Sequence, residues 1–242
     1  MDASIAYQRI LLKISGEMLK KDATTLDQDR LAFVTGELRS VRELGVGVAV
    51  VIGAGNIFRG GTWQKSQGKG DLRAQADQLG MLATTVNACA LALDLAAHNV
   101  PATVLGSVDM PGFVDIFSIA KARQALDRGD VLLLPGGLGH PYFSTDTASA
   151  VRALEVGAQV MVKATQVDGV YDKDPRHNPD ARRFDTLAMS EAIRLNLKVM
   201  DQTAFSLCRE NGLPILVGRM DGPGSLAGLL QGQRNATLVT PD

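Results

Sequence analysis

Cysteine and histidine are scarce in this chain of 242 residues, which contains two cysteines and three histidines. Cys89 and Cys208 both fall inside helical patterns, and no Cys-x-x-Cys is present. His98, His140 and His177 lack the spacing of metal ligands, so we predict no structural zinc site. Two isolated cysteines fit a reducing, cytoplasmic setting.

Net charge is also close to zero, with 25 Lys and Arg against 26 Asp and Glu. The basic residues are scattered apart from Arg182-Arg183, which we interpret as a solvated pair, and nothing indicates a nucleic-acid partner. The N-terminal residues lack the basic-then-apolar order of a signal peptide, and no run of roughly 18 apolar residues is present to span a bilayer. The most apolar helical stretch, 88–97, is interrupted by Asp94 and is predicted to be core.

What the chain does contain is a regular alternation of apolar strand segments with helical patterns. The predicted strands are 8–14, 46–52, 102–105, 131–134, 158–163, 214–217 and 236–240. The predicted helices are 27–44, 71–99, 115–128, 144–156, 189–196, 201–211 and 223–231. A polar loop is predicted at 60–70, and turns at 164–187 with a hairpin built on Asp168-Gly169. The alternation predicts an α/β fold with a mostly parallel sheet covered on both faces, in one domain over residues 1–242.

Three of the apolar strands run into glycine-rich turns, at 10–17, 48–61 and 131–141. Glycine lets bare backbone N–H groups approach a ligand closely. Ligands of parallel sheets bind beyond the carboxyl ends of the strands, which is where all three turns fall. With a lysine in the first turn and an arginine in the second, the pattern predicts a site for more than one phosphate.

Neither of the two common nucleotide motifs is met by these turns. Gly53-Ala54-Gly55 begins like a Rossmann fingerprint, but the third glycine is missing. The segment from Gly55 approaches a P-loop, but Gly61 occupies the position of the required lysine. A less common nucleotide-binding fold is therefore indicated.

Three charged residues near the first two turns are candidates for binding or chemistry. Lys13 closes the first strand, where its ammonium would either stabilise charge that develops during phosphoryl transfer or simply extend to solvent. Arg59 follows the second turn, and its planar fork either binds phosphate oxygens or lies free on the surface. Asp77, in the long helix, either accepts from ribose hydroxyls or belongs to a solvated helix face.

The helix that follows the third turn begins with Ser144-Thr145-Asp146-Thr147. Free N–H groups and the helix dipole favour anions at such an N-terminus. Asp146 would orient a lysine or hold magnesium through water, unless it serves only the helix cap. Asp201 is likewise a cap or a second such acid, and we interpret His140 as a loop residue rather than a general base.

The segment 163–175, after the fifth strand, is the remaining candidate. Tyr171 is available to flank a base, and Asp174 to accept hydrogen bonds from ribose or base groups. The alternative is a plain hairpin on Asp168-Gly169.

In their order and spacing, these motifs resemble those of bacterial UMP kinases (uridylate kinases), a family of the amino acid kinase superfamily. The resemblance extends from Lys13-Ile14-Ser15-Gly16-Glu17 to Met200-Asp201-Gln202-Thr203-Ala204-Phe205. It implies a three-layer αβα sandwich and transfer of phosphate from ATP to UMP with Mg²⁺ in pyrimidine nucleotide biosynthesis. It also implies a homohexamer, with GTP as activator and UTP as inhibitor in many members.

The resemblance further implies roles for individual residues. The N-terminal part would mainly bind UMP and the C-terminal part ATP, with direct attack by a UMP phosphate oxygen and no covalent nucleophile. The residues expected to act in catalysis are Lys13, Arg59, Asp146 and Asp201. Those expected to contact ATP are Lys13, Ile14, Ser15, Gly16, Gly55, Arg59, Thr165, Tyr171 and Asp174. Those expected to contact UMP are Ala54, Asp77, Leu138, Gly139, His140, Pro141, Tyr142, Phe143, Ser144 and Thr145. No residue is assigned as a direct metal ligand.

Three positions depart from the pattern of that family. Ala54 stands in a turn that commonly has three glycines, so its methyl group lies close to the expected phosphate. Leu138 lacks a hydroxyl that the family commonly has, and Gln166 replaces a frequent lysine. These departures concern individual nucleotide contacts rather than the class of protein.

Two other functions are consistent with the sequence. One is a superfamily relative that phosphorylates a carboxylate or carbamate, such as an aspartokinase, although Asp77 and the segment 141–146 favour a nucleotide acceptor. The other is a non-enzymatic nucleotide sensor on the same fold. The joint presence of four residues argues against the sensor: Lys13, Arg59, Asp146 and Asp201.

Overall fold

A nine-stranded sheet forms the centre of the computed structural model, which describes residues 5–60, 72–197 and 199–242. Its strands are β1 (Arg9–Ile14), β2 (Gly47–Ile52), β3 (Ala102–Gly106), β4 (Asp115–Ile116), β5 (Val131–Leu133), β6 (Val160–Thr165), β7 (Thr186–Ala188), β8 (Ile215–Arg219) and β9 (Ala236–Thr240). They lie in the order β4-β3-β5-β2-β1-β6-β8-β9-β7. The described pairs are parallel except that of β8 with β9.

The seven described helices are α1 (Gln28–Glu43), α2 (Arg73–Ala97), α3 (Ile119–Asp127), α4 (Thr145–Val156), α5 (Met189–Arg194), α6 (Gln202–Glu210) and α7 (Ser225–Leu230), with a short 3₁₀-helix at Gly16–Leu19. Four of them, α1, α3, α4 and α6, begin after a residue whose side chain caps them. Asp27, Ser144 and Asp201 each accept a hydrogen bond from the backbone N–H three residues further on. Helix α4 ends at Gly157, whose φ of 72° is the left-handed conformation that glycine adopts at little cost.

The strands are apolar on both faces because helices cover both sides of the sheet. Ile10, Leu12 and Ile14 of β1 pack towards α1, α2 and α7, whereas Leu11 packs towards α3, α4, α5 and α6. All four side chains are fully buried. The predicted α/β fold, with its mostly parallel sheet between two helical layers, is confirmed.

A buried carboxylate connects helices α1 and α7 across the first layer. Glu37 is 2% exposed and accepts hydrogen bonds from the N–H groups of Gly224 and Leu226, each at 2.6 Å, and from the Ser225 hydroxyl at 2.9 Å. A helix N-terminus exposes unpaired N–H groups, which favour a negative charge. The acid therefore replaces the cap that α7 lacks in its own sequence.

Helix α2 is the one described helix that is long and apolar enough to cross a membrane by length and composition alone, a test that core helices also meet. One side of α2 is core as predicted, with Ala88, Leu91 and Leu95 buried against the sheet and α1. The other side carries an exposed apolar stripe, which we call the α2 stripe: Leu79, Leu82, Val86 and Leu93. The prediction of a core helix therefore holds for one side only.

Several predicted boundaries were wrong. The helix predicted from residue 115 begins at Ile119, because Asp115–Ile116 pairs with β3 as the edge strand β4. The hairpin expected on Asp168-Gly169 does not form in the described segment 164–187, where an antiparallel bridge instead joins Tyr171 to Arg183. Of the loop predicted at 60–70, residues 61–70 lie outside the described residues, as does the predicted helix start at residue 71.

Candidate active site

The three glycine turns meet because their strands are neighbours in the order β5-β2-β1. Gly16 lies against the second turn, and a Cβ atom on it would stand 2.5 Å from the Gly53 carbonyl oxygen. Only glycine fits at such a distance, so the first two turns pack backbone against backbone. In the third turn, Gly136, Gly137 and Gly139 have φ values of 84°, 58° and 78°, which other residues rarely adopt.

Two lysines share one carboxylate at this edge of the sheet. Lys13 Nζ lies 3.0 Å from one oxygen of Asp146, and Lys163 Nζ lies 2.6 Å from the other. Lys163 also donates to the Val199 carbonyl at 2.6 Å. The three charged side chains are each about 15% exposed, which makes this a largely desolvated site with a net positive charge.

Burial and charge act in opposite directions on this cluster. Burial disfavours the ionised form of Asp146, but the attraction of Lys13 and Lys163 outweighs it and lowers the pKa of the carboxyl. Burial lowers the pKa of Lys163, and the repulsion of Lys13 adds to that effect against the attraction of Asp146. The sequence expectation that Asp146 orients a lysine has a geometric basis here, with two lysines in place of one.

Asp201 lies next to this cluster and has two contacts besides its cap. It caps α6 through the Ala204 N–H at 2.9 Å. Its carboxylate also accepts from the Thr147 hydroxyl at 3.0 Å and from the Ser144 hydroxyl. Asp201 therefore joins the N-terminus of α4 to that of α6, beside Asp146.

A cavity of about 270 Å³ opens on the side of β2 and β5. It gathers six of the ten residues expected to contact UMP, together with Gly137 and Thr84: Ala54, Asp77, His140, Phe143, Ser144 and Thr145. The other four, Leu138, Gly139, Pro141 and Tyr142, belong to the same turn but do not line the cavity. We call this space the acceptor-side cavity.

Asp77 is already engaged at the mouth of the acceptor-side cavity. Its carboxylate accepts from the Tyr142 N–H at 2.8 Å and lies 3.7 Å from Arg73 Nε. The Arg73 guanidinium stands over the Tyr142 ring, 4.9 Å from its centre. Tyr142 has a φ of 73°, which is uncommon outside glycine. Asp77 is therefore part of a local cluster rather than a free solvated helix face.

A second cavity, of about 460 Å³, opens beyond β6 and β8. Thr165, Tyr171 and Asp174, the three residues expected to contact the ATP nucleoside, all line it. We call it the donor-side cavity. It lies on the other side of Lys13 from the acceptor-side cavity, because β1 separates β2 from β6 in the sheet.

Side chains around the donor-side cavity form local hydrogen bonds. The Tyr171 hydroxyl donates to Asp168 at 2.7 Å, which lowers the pKa of Asp168 and raises that of Tyr171. Hydrogen bonds from Arg176 lower the pKa of Asp174 to about 2. The Val170 N–H donates to the Thr237 hydroxyl at 2.8 Å, which ties this segment to β9.

Arg59 folds back on the second turn. Its guanidinium lies 2.8 Å from Glu17 and donates to the Gly55 carbonyl at 3.1 Å, while the side chain stays 59% exposed. Of the Arg182-Arg183 pair, Arg182 is exposed as interpreted, whereas Arg183 is not. Arg183 is only 20% exposed, because it lies between Asp168 and Asp185.

Sequence reasoning missed two charged residues of the site. Lys163 ends an apolar strand as Lys13 does, and the two are paired in the parallel register of β1 and β6. A second lysine at the end of an apolar strand was the signal that could have found it. Glu17 carried no signal, because its role depends on Arg59 lying across from it in space.

The fold and site define an α/β protein with a cationic, glycine-framed site between two cavities, an arrangement suited to moving phosphate between two ligands. The sequence pattern of the amino acid kinase family matches residues 8–219, and the chain belongs to that family.

Named relatives are similar over nearly the whole chain. The uridylate kinase of Rhodopseudomonas palustris is 45% identical over 96% of this chain and 97% of the relative. That of Bacteroides thetaiotaomicron is 42% identical over 96% and 98%. The crystal structure of UMP kinase from Ureaplasma parvum has a TM-score of 0.91 at 34% identity, covering 96% of this chain and 98% of that one. That from Bacillus anthracis has a TM-score of 0.92 at 33% identity, covering 98% and 97%.

Proposed function

We propose that this protein is a UMP kinase, which transfers the γ-phosphoryl group of ATP to UMP and yields UDP and ADP in pyrimidine nucleotide biosynthesis. The observation that carries the proposal is the Lys13–Asp146–Lys163 cluster between two cavities. Full-length similarity to uridylate kinases supports UMP as the acceptor.

In the proposed reaction, a phosphate oxygen of UMP attacks the γ-phosphorus of ATP. One P–O bond forms to the acceptor while the bond to the β-phosphate oxygen breaks, and that oxygen leaves with ADP. Lys13 and Lys163 stabilise negative charge on the transferring group, and Asp146 holds both ammonium groups in place. Most of the rate enhancement then comes from positioning and charge.

The nucleotides occupy the two cavities in this proposal. UMP lies in the acceptor-side cavity against Ala54, His140, Phe143, Ser144 and Thr145, with its ribose towards Asp77. The ATP nucleoside lies in the donor-side cavity against Thr165, Tyr171 and Asp174. The ATP phosphates extend to Lys13, Ile14, Ser15, Gly16 and Gly55. Arg59 reaches phosphate by exchanging its partner Glu17.

Mg²⁺ is proposed to arrive with ATP. Both oxygens of Asp146 face ammonium groups, and the described residues hold no cluster of three acidic, histidine or cysteine side chains. These residues fit an ion held chiefly by substrate phosphates, with Asp146 and Asp201 contacting it through water. Bound there, the ion would neutralise phosphate charge.

We further propose that the protein forms a single domain over residues 1–242 and assembles into a homohexamer in the cytoplasm. We also propose that GTP activates it and that UTP inhibits it. The α2 stripe offers apolar surface that an assembly would bury. Sedimentation of the wild type and of Leu82→Glu tests the assembly, since a charge in a buried interface dissociates it.

The proposed reaction is tested by ADP release from ATP and Mg²⁺ with UMP, CMP, dTMP or aspartate as acceptor. We expect ADP release that depends on UMP. Release with aspartate alone would point to a carboxylate kinase. Nucleotide binding without any release would support the sensor instead.

A further inference from the structure

We propose that Asn87 and Thr84, on the inner side of helix α2, are positioning residues that fix the second and third glycine turns relative to each other. The inference deepens the proposed function, on which its kinetic part rests. Neither residue was singled out by its sequence pattern. Both are buried, with exposed fractions of 0% and 7%.

Asn87 holds the second turn. Its amide nitrogen donates to the Gly53 carbonyl at 2.8 Å and to Asn56 Oδ1 at 2.9 Å. Asn56 returns a hydrogen bond to Asn87 Oδ1 at 2.9 Å and donates to the Thr25 carbonyl at 2.9 Å. All donors of this amide pair are used, and Gly16 of the first turn packs directly on Asn56. The pair therefore also sets how closely the first turn approaches the second.

Thr84 holds the third turn. Its hydroxyl accepts from the Gly136 N–H at 2.8 Å and donates to the Met81 carbonyl of its own helix at 2.7 Å. Thr84 borders the acceptor-side cavity, but its only hydroxyl proton goes to Met81 and one of its lone pairs accepts from Gly136. Its hydrogen bond therefore anchors the turn rather than facing a ligand.

The two anchors lie three residues apart on one helix. Residues at this spacing share a helix face with Cβ atoms about 5–6 Å apart, and an α-helix is stiff over one turn. The backbones of the second and third glycine turns are thus both hydrogen-bonded to a single rigid helix. Phosphoryl transfer depends on the alignment of donor and acceptor, and a displacement of about 1 Å can cost 10²-fold in rate.

Thr85 supplies a matched control. It is equally buried, at 7%, and its hydroxyl donates only to the Met81 carbonyl, at 3.3 Å. Thr84→Val and Thr85→Val make the same change in adjacent residues of one helix. Only the first removes an acceptor from a backbone N–H of a glycine turn. Thr84→Ser keeps the hydroxyl and loses a methyl group.

The first readout is amide hydrogen exchange of the protein without nucleotides. We expect Thr84→Val to speed exchange at Gly136 about tenfold or more, while Thr85→Val and Thr84→Ser leave it near the wild-type rate. Wild-type protection of Gly136 in Thr84→Val would overturn the anchoring. This measurement needs no substrate, so it stands whether or not the proposed reaction is correct.

The second readout is steady-state kinetics with UMP and ATP. We expect Thr84→Val to lower kcat about tenfold and to raise KM for UMP at least fivefold, with KM for ATP within twofold of the wild type. A purely structural role would lower Tm equally in both valine variants and leave these constants alike, which would overturn the positioning role. An inactive wild type would reject the proposed function and leave the exchange result standing.

Asn87 is tested by Asn87→Asp, which replaces the donating amide with an oxygen facing the Gly53 carbonyl and Asn56 Oδ1. We expect faster exchange at residues 53–56 and a larger loss of kcat than in Thr84→Val, because the first and second turns both move. An Asn87→Asp enzyme with wild-type kcat would remove Asn87 from the proposal.

Discussion

The two cavities beside Lys13 are framed by different kinds of interaction. On the acceptor side, neutral side chains hold the turns: the buried Asn87 and Thr84, and the partly buried Ser107, whose hydroxyl donates to the Gly137 carbonyl at 2.6 Å. Each of these side chains forms a hydrogen bond with a backbone group of a glycine turn.

On the donor side, the segment 166–185 contains three close ion pairs near the surface, besides its anchor at Thr237. The pairs are Lys173–Asp180 at 2.5 Å, Arg176–Asp174 at 2.9 Å and Arg183–Asp185 at 2.8 Å. In each pair at least one side chain is more than a third exposed.

The two kinds of interaction differ in what their loss costs. A buried backbone group left without its partner costs about 1–3 kcal/mol, whereas an exposed ion pair contributes about 0–1 kcal/mol. The acceptor side is therefore built to keep one geometry. The donor side is built to adjust, which suits the proposed release of ADP from this cavity after each turnover.

The largest effect is expected at Lys13, between the two sides. In the proposed reaction, Lys13→Ala removes the ammonium group that stabilises negative charge on the transferring phosphoryl group. This should lower kcat about 10²- to 10³-fold, while UMP binding stays close to normal. Turnover assays with calorimetric titration of UMP measure both. The exposed residue Lys121 provides the control, since Lys121→Ala leaves both unchanged. Full turnover in Lys13→Ala would remove this lysine from the chemistry.

The next largest effect is expected on stability, from Asp146→Asn. Two buried ammonium groups lose their shared carboxylate, so the free energy of unfolding at pH 7 should fall by about 3 kcal/mol. Asp127→Asn breaks the more exposed pair with Arg9 and should cost less than about 1 kcal/mol. Urea unfolding of both variants compares a buried with a surface charge pair, and equal losses would contradict the comparison.

Lowering the pH should reduce the difference in the free energy of unfolding between the wild type and Asp146→Asn. The folded-state pKa of Asp146 is lowered, so its contribution to stability is complete above the unfolded pKa of about 3.9 and is lost as pH falls through the folded value. Urea unfolding of both proteins at pH 6, 4 and 3 measures this difference. A difference that stays constant down to pH 3 would mean that the two lysines do not lower the pKa of Asp146.

A smaller effect is expected from Asp174→Asn on the donor side. Losing the carboxylate should raise KM for ATP two- to fivefold and leave KM for UMP unchanged. Because Asp174 has a pKa of about 2, its contribution to ATP binding should be constant from pH 5 to pH 8. Asp180→Asn, on the same segment, is the control. An equal change in KM for UMP would show that the two cavities are not independent.

The smallest effect is expected from salt. At 1 M NaCl the Debye length falls to about 3 Å, which weakens exposed ion pairs and leaves buried neutral hydrogen bonds intact. Amide exchange at residues 172–183 should speed up severalfold, while Gly136 stays protected. Equal acceleration at both places would remove the distinction between the two sides.

Much of this arrangement could be predicted from local sequence. Apolar strands that end in glycine turns identified the edge of the sheet, and caps such as Asp27 and Ser144 identified helix starts to within a residue. Lys13 was found because a charge at the end of an apolar strand is conspicuous. These features depend on neighbours in the chain, which the sequence displays directly.

The rest depends on contacts between distant residues. Asp77 meets the Tyr142 N–H across 65 positions, at a residue with an uncommon positive φ. Asn87 looks like an ordinary polar residue within an apolar helix until the second turn lies against it. The segment 164–187 was assigned a local hairpin because Asp168-Gly169 suits one, whereas its anchor is Thr237, far along the chain.

The place of β9 in the sheet has a consequence for how the protein is made. Strand β9 lies between β8 and β7, and its Thr237 also anchors the donor-side segment at Val170. On the ribosome, β1, β2 and β5 emerge early and can assemble the acceptor side, but β7 has no neighbour until β9 has been synthesised. We therefore expect nascent chains to form the acceptor-side cavity before the donor-side cavity, so that the proposed transfer begins only after β9 leaves the exit tunnel.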